Sequence, residues 1–334
     1  MTSSPLDLVV AINPSASFGR GRAAGPAVVA ALRAAGHRVT PLTAPSYAKL
    51  LELTEAALQA RPDALVVVGG DGMVHLGTGL LAGSGIPLGI VPSGTGNDMA
   101  RGLGIPVGDR DAAVRHLLDA LGSEPRVIDT ARIDHGDGRG AFACVLSAGF
   151  DAIVNERANR MRRPRGRSRY LLALLRELAL LRPIEYRLVV DGVPETVRAL
   201  LVAVGNNTSL GGGSMRVVPD ALLDDGLLDL FVVAPMSRLA FLRIFPRVFS
   251  GRHTSDPRVS IRRARQIAIE ADAVVAYADG ERIGPLPVTI AVRPASLAVL
   301  APVPEAAHEV VPETAPAAEA TPGPARETVP GVAD

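Results

Sequence analysis

Two glycine-rich turns carry the residue types best suited to chemistry. Gly69-Gly70-Asp71-Gly72 follows the apolar run Leu65-Val66-Val67-Val68, and Pro92-Ser93-Gly94-Thr95-Gly96-Asn97-Asp98 follows Pro87-Leu88-Gly89-Ile90-Val91. Each lies where a buried strand would end and a helix begin. There, bare backbone N–H groups converge and the helix terminus adds partial positive charge, which makes an anion site. Glycine allows close backbone approach to a phosphate and the positive φ angles of a cradling turn. Thr95 adds a hydroxyl for a phosphate oxygen, whereas Asp71 can face phosphate only through a cation or a proton network. Asn97 and Asp98 have a plainer alternative as helix caps. One such turn is weak evidence; two at neighbouring strand ends point to nucleotide-phosphate binding.

The elements that must hold these turns alternate. Residues 7–13, 38–42, 65–68 and 88–91 read as strands, and 23–35, 46–60, 73–81, 97–103 and 109–121 as helices, with Ser46 as an N-cap. That alternation predicts a doubly wound parallel sheet with ligands at the C-terminal ends of its strands. Beyond residue 125 the pattern changes to short strands at 127–133, 142–148, 186–190, 197–204, 227–233, 266–270, 274–278, 288–292 and 297–300, with helices only at 170–181 and 238–249. The expected organisation is an α/β nucleotide-binding domain over 1–125, a β-sandwich-like domain over 126–301 and a disordered Pro/Ala/Glu-rich tail over 302–334. Whether the last strand returns to the first domain is open at this level.

Composition excludes several classes. Hydrophobic residues make up 48% of the 334 residues but aromatics only 3%, so the cores must be aliphatic. The single cysteine, Cys144, rules out an intrachain disulfide and fits a reducing cytoplasm; its apolar surroundings mark it as a core residue rather than a nucleophile. No stretch reads as a secretory signal or a membrane span. Lys49 is the one lysine, so neither a Walker A loop nor a protein-kinase fold is possible. Neither glycine turn completes G-x-G-x-x-G, since His75 and Met99 occupy the last position, which disfavours a dinucleotide site. The six histidines lack ligand spacing for zinc.

With these residues in view, the chain resembles the diacylglycerol kinase catalytic-domain family, in particular the bacterial diacylglycerol and lipid kinases related to sphingosine and ceramide kinases. Gly-Gly-Asp-Gly followed by Pro-Ser-Gly-Thr-Gly-Asn-Asp-Met-Ala-Arg at 92–101 carries the likeness. Asn13-Pro14, Ser147-Ala148-Gly149-Phe150-Asp151-Ala152, Gly205-Asn206, Gly211-Gly212-Gly213, the run 219–229 and Asp279-Gly280-Glu281 extend it in the family's order. The resemblance implies an active site in the cleft between the two domains and ATP-dependent phosphorylation of a lipid hydroxyl, most simply diacylglycerol to phosphatidic acid, as in phospholipid biosynthesis. It implies that Asn13, Thr43, Gly69, Gly70, Asp71, Gly72, Thr95 and Asn97 line the nucleotide. Glu281 would take the proton of the lipid hydroxyl, and Asp71, Asp98 and Asp129 would organise Mg²⁺ and water. A structural Mg²⁺ would sit at Asp225 with the carbonyls of Leu222 and Leu227. The chain departs from the pattern at Met73, His75 and Leu76, where the family has Thr and Asn-Glu. A sphingoid-base or other lipid-alcohol kinase, a soluble NAD-kinase-like kinase, and a catalytically weak lipid-binding protein are the alternatives.

Seven arginines (Arg157, Arg160, Arg162, Arg163, Arg165, Arg167 and Arg169) precede an apolar helical face. A solvated loop is the plain reading. Docking on an anionic membrane surface is the functional one, at about 1 kcal/mol per residue. Sparse aromatics argue against nucleic acid. The expected location is the cytoplasm, peripheral at the inner face of the membrane, and a homodimer is left open.

Overall fold

The computed structural model describes residues 4–13, 24–136, 138–161 and 167–302. The expected tail beyond Pro302, together with Pro14, Arg162, Arg163 and Arg165, lies outside the described residues, as do the side chains of Arg167 and Arg169.

The first half follows the sequence pattern closely. Strands β1 (Asp7–Ile12), β2 (Arg38–Thr43), β3 (Ala64–Gly69) and β4 (Leu88–Pro92) run parallel in the order β2-β1-β3-β4. Between them run α1 (Ala24–Ala34), α2 (Tyr47–Leu58) and α3 (Asp71–Leu81), and after them α4 (Asp98–Gly102) and α5 (Arg110–Ala120). Ser46 caps α2 by accepting from the Lys49 N–H, and Asp109 caps α5 from Ala112. The sheet is covered on both faces. Leu8, Val10, Ile12, Val66 and Val68 pack against α1 and α5, while Val9, Ala11, Leu65 and Val67 join the core under α2, α3 and α4. This two-sided burial explains the unbroken apolar strands; each such side chain contributes about 1.5–3 kcal/mol.

The second half comprises β5 (Arg126–His135), β6 (Gly138–Phe142), β7 (Val145–Gly149), α6 (Phe150–Arg160), α7 (Arg167–Ala179), β8 (Ile184–Val190), β9 (Val193–Ala199), β10 (Leu201–Gly205), β11 (Leu228–Val233), α8 (Arg238–Ile244), β12 (Val259–Ala264), β13 (Gln266–Glu270), β14 (Val275–Ala278), β15 (Glu281–Pro285) and β16 (Val288–Val299). The antiparallel sheet β12-β11-β10-β7-β14-β15 faces strands β16, β13, β8 and β5, and Leu146, Val204, Leu230, Tyr186, Ile267 and Ile290 fill the space between them. The last strand does return: Val299 pairs in parallel with Leu88 of β4, and the Leu300 N–H donates to Leu88 O at 2.9 Å. One ten-stranded sheet therefore runs through both halves.

Several expected elements come out differently. The run 142–148 is two strands broken at Ala143-Cys144, and 197–204 is two strands in different sheets, broken at Leu200. The segments 288–292 and 297–300 are one strand with an irregularity between Arg293 and Leu297, where Ala295 takes φ 47°. The helix read over 238–249 ends at Ile244 and continues as a 3-10 turn, Phe245–Ser250, with Pro246 in its first positions. Helix α6 and strands β6 (apart from Phe142), β12 and β15 lie outside the expected elements. Arg157 and Arg160 lie on α6 rather than in a loop.

Candidate active site

Strand register gathers the first rim. Ile12 pairs with Thr43 on one side and Val68 on the other, and Gly69 pairs with Pro92. Thr43, Asn13 and both glycine turns thus leave the sheet at one edge. The Asn13 N–H donates to Val68 O at 3.1 Å and the Ser93 N–H to Gly69 O at 2.8 Å, which holds the strand ends together.

The turns meet backbone to backbone. A Cβ on Gly70 would stand 2.9 Å from Gly94 Cα, so neither position has room for a side chain. Asp71 fastens the pair: its Oδ2 accepts from the Asn97 N–H (2.8 Å) and its Oδ1 from the Asp98 N–H (2.7 Å). These are opening amides of α4, so the carboxylate of one turn caps the helix of the other. Asn97 sits in the left-handed region (φ 61°), and its side chain accepts from Gly94 N–H at 3.0 Å and donates to Gly94 O at 2.9 Å. Thr95 stays exposed on the rim.

Across this rim lies the loop of Gly211, Gly212 and Gly213, all with positive φ. A Cβ on Gly212 would be 3.4 Å from Thr95 O, so the loop rests on the second turn. Asp98, 5% exposed, accepts from the Gly213 N–H at 2.6 Å. Burial raises the proton affinity of Asp98; the Gly212 and Gly213 amides oppose this, and the Asp71 charge adds to it. Its carbonyl accepts from Asn207 Nδ2 at 3.1 Å. Asn206, fully buried, donates to Asp129 O and Ala143 O, while its Oδ1 has no hydrogen-bond partner.

The turn between β14 and β15 closes the site. Asp279, at φ 50°, accepts three backbone N–H groups: Cys144 (2.9 Å) and Val145 (3.1 Å) on Oδ1, and Ala143 (3.0 Å) on Oδ2. Those amides are available because the chain breaks between β6 and β7. The anchored turn carries Glu281 to the first glycine turn, where its Oε1 is 3.1 Å from the point a Cβ on Gly72 would occupy. His75 on α3 lies behind, with Nδ1 3.8 Å from Asp279 Oδ2, an ion-pair distance rather than a hydrogen bond. Burial lowers the His75 pKa, but Asp279 and then Glu281 more than offset it, so the net shift is upward. Tyr47, at the start of α2, is pushed up to about 12 by burial and by the Glu281 charge.

The family departures have a packing cause. Met73 (2% exposed) and Leu76 (1%) point into the core, and Met73 packs directly beneath Gly69. The missing hydroxyl is thus replaced by core filling. Sequence reasoning passed over Asp279, Asn207 and Tyr47 as parts of this site. The first two stand inside or beside quoted motifs, but the bonds that matter run to residues distant in sequence.

Asp129 and Asp225 meet at the 219–229 loop. Asp129 (2% exposed) accepts from the Gly226 N–H at 2.6 Å and the Ala295 N–H at 2.8 Å, joining the Asp225-Gly226 turn to the irregularity in β16. Asp225 Oδ1 accepts from the Leu227 N–H at 3.0 Å, and Arg263 approaches Asp225 Oδ2 at 3.6 Å and Asp229 Oδ1 at 3.8 Å. Leu222 has an exposed side chain in the same loop. Burial raises the Asp229 pKa against the opposing Arg263, and the Asp225 and Asp220 charges add to the rise, so acids outnumber cations in this loop. No group of three or more His, Cys, Asp or Glu side chains gathers into a metal cluster among the described residues.

Of the arginine run, Arg157 pairs with Glu177 and Arg160 with Glu156 at 2.7 Å. Cys144 is buried, and burial pushes its thiol well up, as a core residue should be. No helix among the described residues is long and apolar enough to cross a membrane.

Comparison with known proteins agrees with this arrangement. Residues 7–133 match the diacylglycerol kinase catalytic domain, and 144–301 match the YegS C-terminal NAD kinase beta sandwich-like domain. A diacylglycerol kinase of Mycobacterium tuberculosis (strain H37Rv) is 40% identical over 291 residues, covering 87% of this chain and 93% of that protein. A diacylglycerol kinase of Bacillus subtilis (strain 168) is 28% identical over 70% of this chain and 75% of its own length. The crystal structure of a diacylglycerol kinase from Bacillus anthracis str. Sterne superposes with a TM-score of 0.67 at 22% identity, covering 90% of this chain and 98% of the other. With its motifs in order and its two-part fold in place, the chain belongs to the diacylglycerol kinase family of lipid kinases.

Proposed function

We propose that the chain transfers the γ-phosphate of ATP to the free hydroxyl of diacylglycerol, giving phosphatidic acid, with Glu281 as the base. The observation that carries this reading is Glu281 Oε1 lying 3.1 Å from the Cβ position of Gly72. A carboxylate above a phosphate-binding turn is where a hydroxyl nucleophile must be held. Phosphoryl transfer asks mainly for positioning and charge neutralisation, which the backbone amides of Gly70, Asp71, Gly72, Thr95 and Gly96 and the Thr95 hydroxyl would supply. Asn13 and Thr43 would border the nucleotide on the same rim. Glu281 would orient the lipid hydroxyl and accept its proton as the new P–O bond forms. Asp279 and His75 would hold the Glu281 turn in place.

A divalent cation fits the rim. Asp98 is a buried carboxylate whose proton affinity is raised by burial, with the Asp71 charge nearby and no arginine or lysine answering it among the described residues. Mg²⁺ typically takes one or two carboxylates and completes its shell with phosphate oxygens and water. When bound there, Mg²⁺ would neutralise developing charge on the transferred phosphoryl group. Asp225, with the carbonyls of Leu222 and Leu227, would hold a second ion that braces the loop and offsets its surplus of acids. Asp129 would act through that loop. Because the acceptor resides in a bilayer, catalysis would take place at a membrane surface, assigned to its cytoplasmic face. The internal pairing of Arg157 and Arg160 reduces the charge that run can offer to lipid.

The test is transfer of label from ATP to a panel of lipids in mixed micelles with Mg²⁺, run beside Glu281→Gln. Labelled phosphatidic acid that falls by two to four orders of magnitude in the variant supports the assignment. Label on a sphingoid base instead would move the acceptor, and transfer undiminished in Glu281→Gln would remove Glu281 as the base.

A further inference from the structure

Helix α8 and the 3-10 turn after it have an unusual surface. Their inward face, Phe241, Ile244 and Val248, is buried in the core. Phe150 packs edge-on against Phe241 at 5.2 Å, Phe241 stacks on Phe245 at 5.7 Å, and Phe245 meets Phe249 edge-on at 5.9 Å, an aromatic ladder from core to surface. The inward register is therefore fixed by packing. Yet the outward face is apolar too: Leu239 is 79% exposed, Leu242 49% and Phe249 50%. Leu239 and Leu242 stand three apart and share one side of the helix. Exposed apolar side chains grouped on one face mark an interaction surface. In a chain with seven phenylalanines, three of them fall within nine residues here.

The charge around this face has one sign. Between Ser237 and Ser255 there is no acidic residue, while Arg238, Arg243, Arg247 and Arg252 are all exposed. Among the described residues none of the four stands in an ion pair, although Arg247 is near enough to contribute to lowering Asp256. Exposed aliphatic and aromatic side chains interleaved with unanswered arginines complement a bilayer that carries anionic headgroups over hydrocarbon. In the α6–α7 region Leu172 and Leu175 are exposed as well, but Arg157 and Arg160 are already paired with Glu177 and Glu156.

We propose that the α8 segment, residues 238–252, is the membrane-docking surface of this protein, with Leu239, Leu242 and Phe249 entering an anionic bilayer and Arg238, Arg243, Arg247 and Arg252 lying among its headgroups. The proposal rests on the lipid-kinase reading for its choice of partner. It locates the docking element, and the experiment separates the two.

The experiment uses the full chain and two variants, Leu239→Ser/Leu242→Ser/Phe249→Ser and Arg238→Gln/Arg243→Gln/Arg247→Gln/Arg252→Gln. Each is measured for sedimentation with phosphatidylglycerol vesicles, with phosphatidylcholine vesicles as the neutral arm. Each is also assayed for phosphorylation of a short-chain, water-soluble diacylglycerol. The expected result is preferential binding of the parent protein to phosphatidylglycerol. The arginine variant should lose roughly fivefold affinity per neutralised arginine, a loss that high salt reproduces in the parent. The apolar variant should lose binding in both salt conditions. Both variants should keep their activity on the soluble substrate, which also reports that they are folded. Unchanged vesicle binding in both variants overturns the proposal. So does a parent dimer that the apolar variant converts to monomer without loss of vesicle binding, because the face would then be covered by a second copy. Absence of kinase activity on any lipid would defeat the functional reading alone, since sedimentation still reads the docking.

Discussion

The acids above the glycine turns and the acids of the 219–229 loop differ in what answers their charge. Above the turns, Asp71 holds two backbone amides, Asp279 three and Asp98 that of Gly213. Backbone amides are fixed by the fold, so these carboxylates act as rivets between separate turns, and that of Asp279 anchors the turn that carries Glu281. In the loop, Asp225 has one backbone amide, that of Leu227, and Asp225 and Asp229 share one long side chain, Arg263, at 3.6 and 3.8 Å. Long-range pairing at a half-exposed guanidinium is weak and screened by salt. The first region has geometry to spare; the second has charge to spare.

The sharpest way to break this contrast is Asp279→Asn. Asparagine tolerates the left-handed backbone at φ 50° but offers one acceptor oxygen in place of two, so at least one buried N–H is left unmet. We expect a loss of about 2–4 kcal/mol in denaturant unfolding and a parallel fall in turnover as the Glu281 turn loosens. A variant as stable as the parent would show that these bonds are incidental.

Gly72→Ala probes the same region with less disturbance to the core. A Cβ there stands 3.1 Å from Glu281 Oε1, so the carboxylate must move by a few tenths of an ångström. Turnover should fall by roughly ten- to a hundredfold with unfolding little changed, because small misplacements at a reacting centre are costly. Full activity in Gly72→Ala would mean that Glu281 works from another position.

His75 gives the contrast a pH signature. Burial alone would lower its pKa, but Asp279 and Glu281 carry it above the ordinary 6.5. A raised folded pKa gives stability that is complete below the unfolded value and fades as pH rises through the folded one. Stability should therefore decline above pH 6.5, with a slope of at most about 1.4 kcal/mol per pH unit. His75→Gln should flatten that slope, as read from urea midpoints between neutral and mildly alkaline pH. An identical profile in both proteins would detach His75 from Asp279.

How much of this was legible in the sequence follows from the range of the interactions. Every strand and helix up to α5 could be read, because two-sided burial makes β1, β3 and β4 continuous apolar runs and the caps are local: Ser46 and Asp109 stand where their helices start. Breaks inside apolar runs could not be read. The interruption at Ala143-Cys144 exists because Asp279, far along the chain, takes the freed amides. The division of 197–204 depends on which sheet each half enters. At the site, the resemblance named Glu281 and the glycine turns. It could not reveal that Asp71 would be spent on the amides of Asn97 and Asp98, because side-chain-to-backbone bonds between separate turns leave no periodic trace.

The smallest expected effect lies in the 219–229 loop and bears on whether its surplus charge is answered by metal. If Arg263 is only a partial counterion, Arg263→Gln should cost less than about 1 kcal/mol, with the loss vanishing in high salt. Added Mg²⁺ should then stabilise Arg263→Gln more than the parent, because a divalent ion gains where the guanidinium has gone. Asp225→Asn should abolish that gain, since the loop would keep its carbonyls but lose the carboxylate that faces Arg263. Thermal unfolding of the three proteins with and without Mg²⁺ measures each step. If Mg²⁺ stabilises Asp225→Asn as much as the parent, the ion binds elsewhere, with Asp98 at the glycine turns the next carboxylate to substitute. In that case the loop's surplus charge is simply tolerated through its exposure to water.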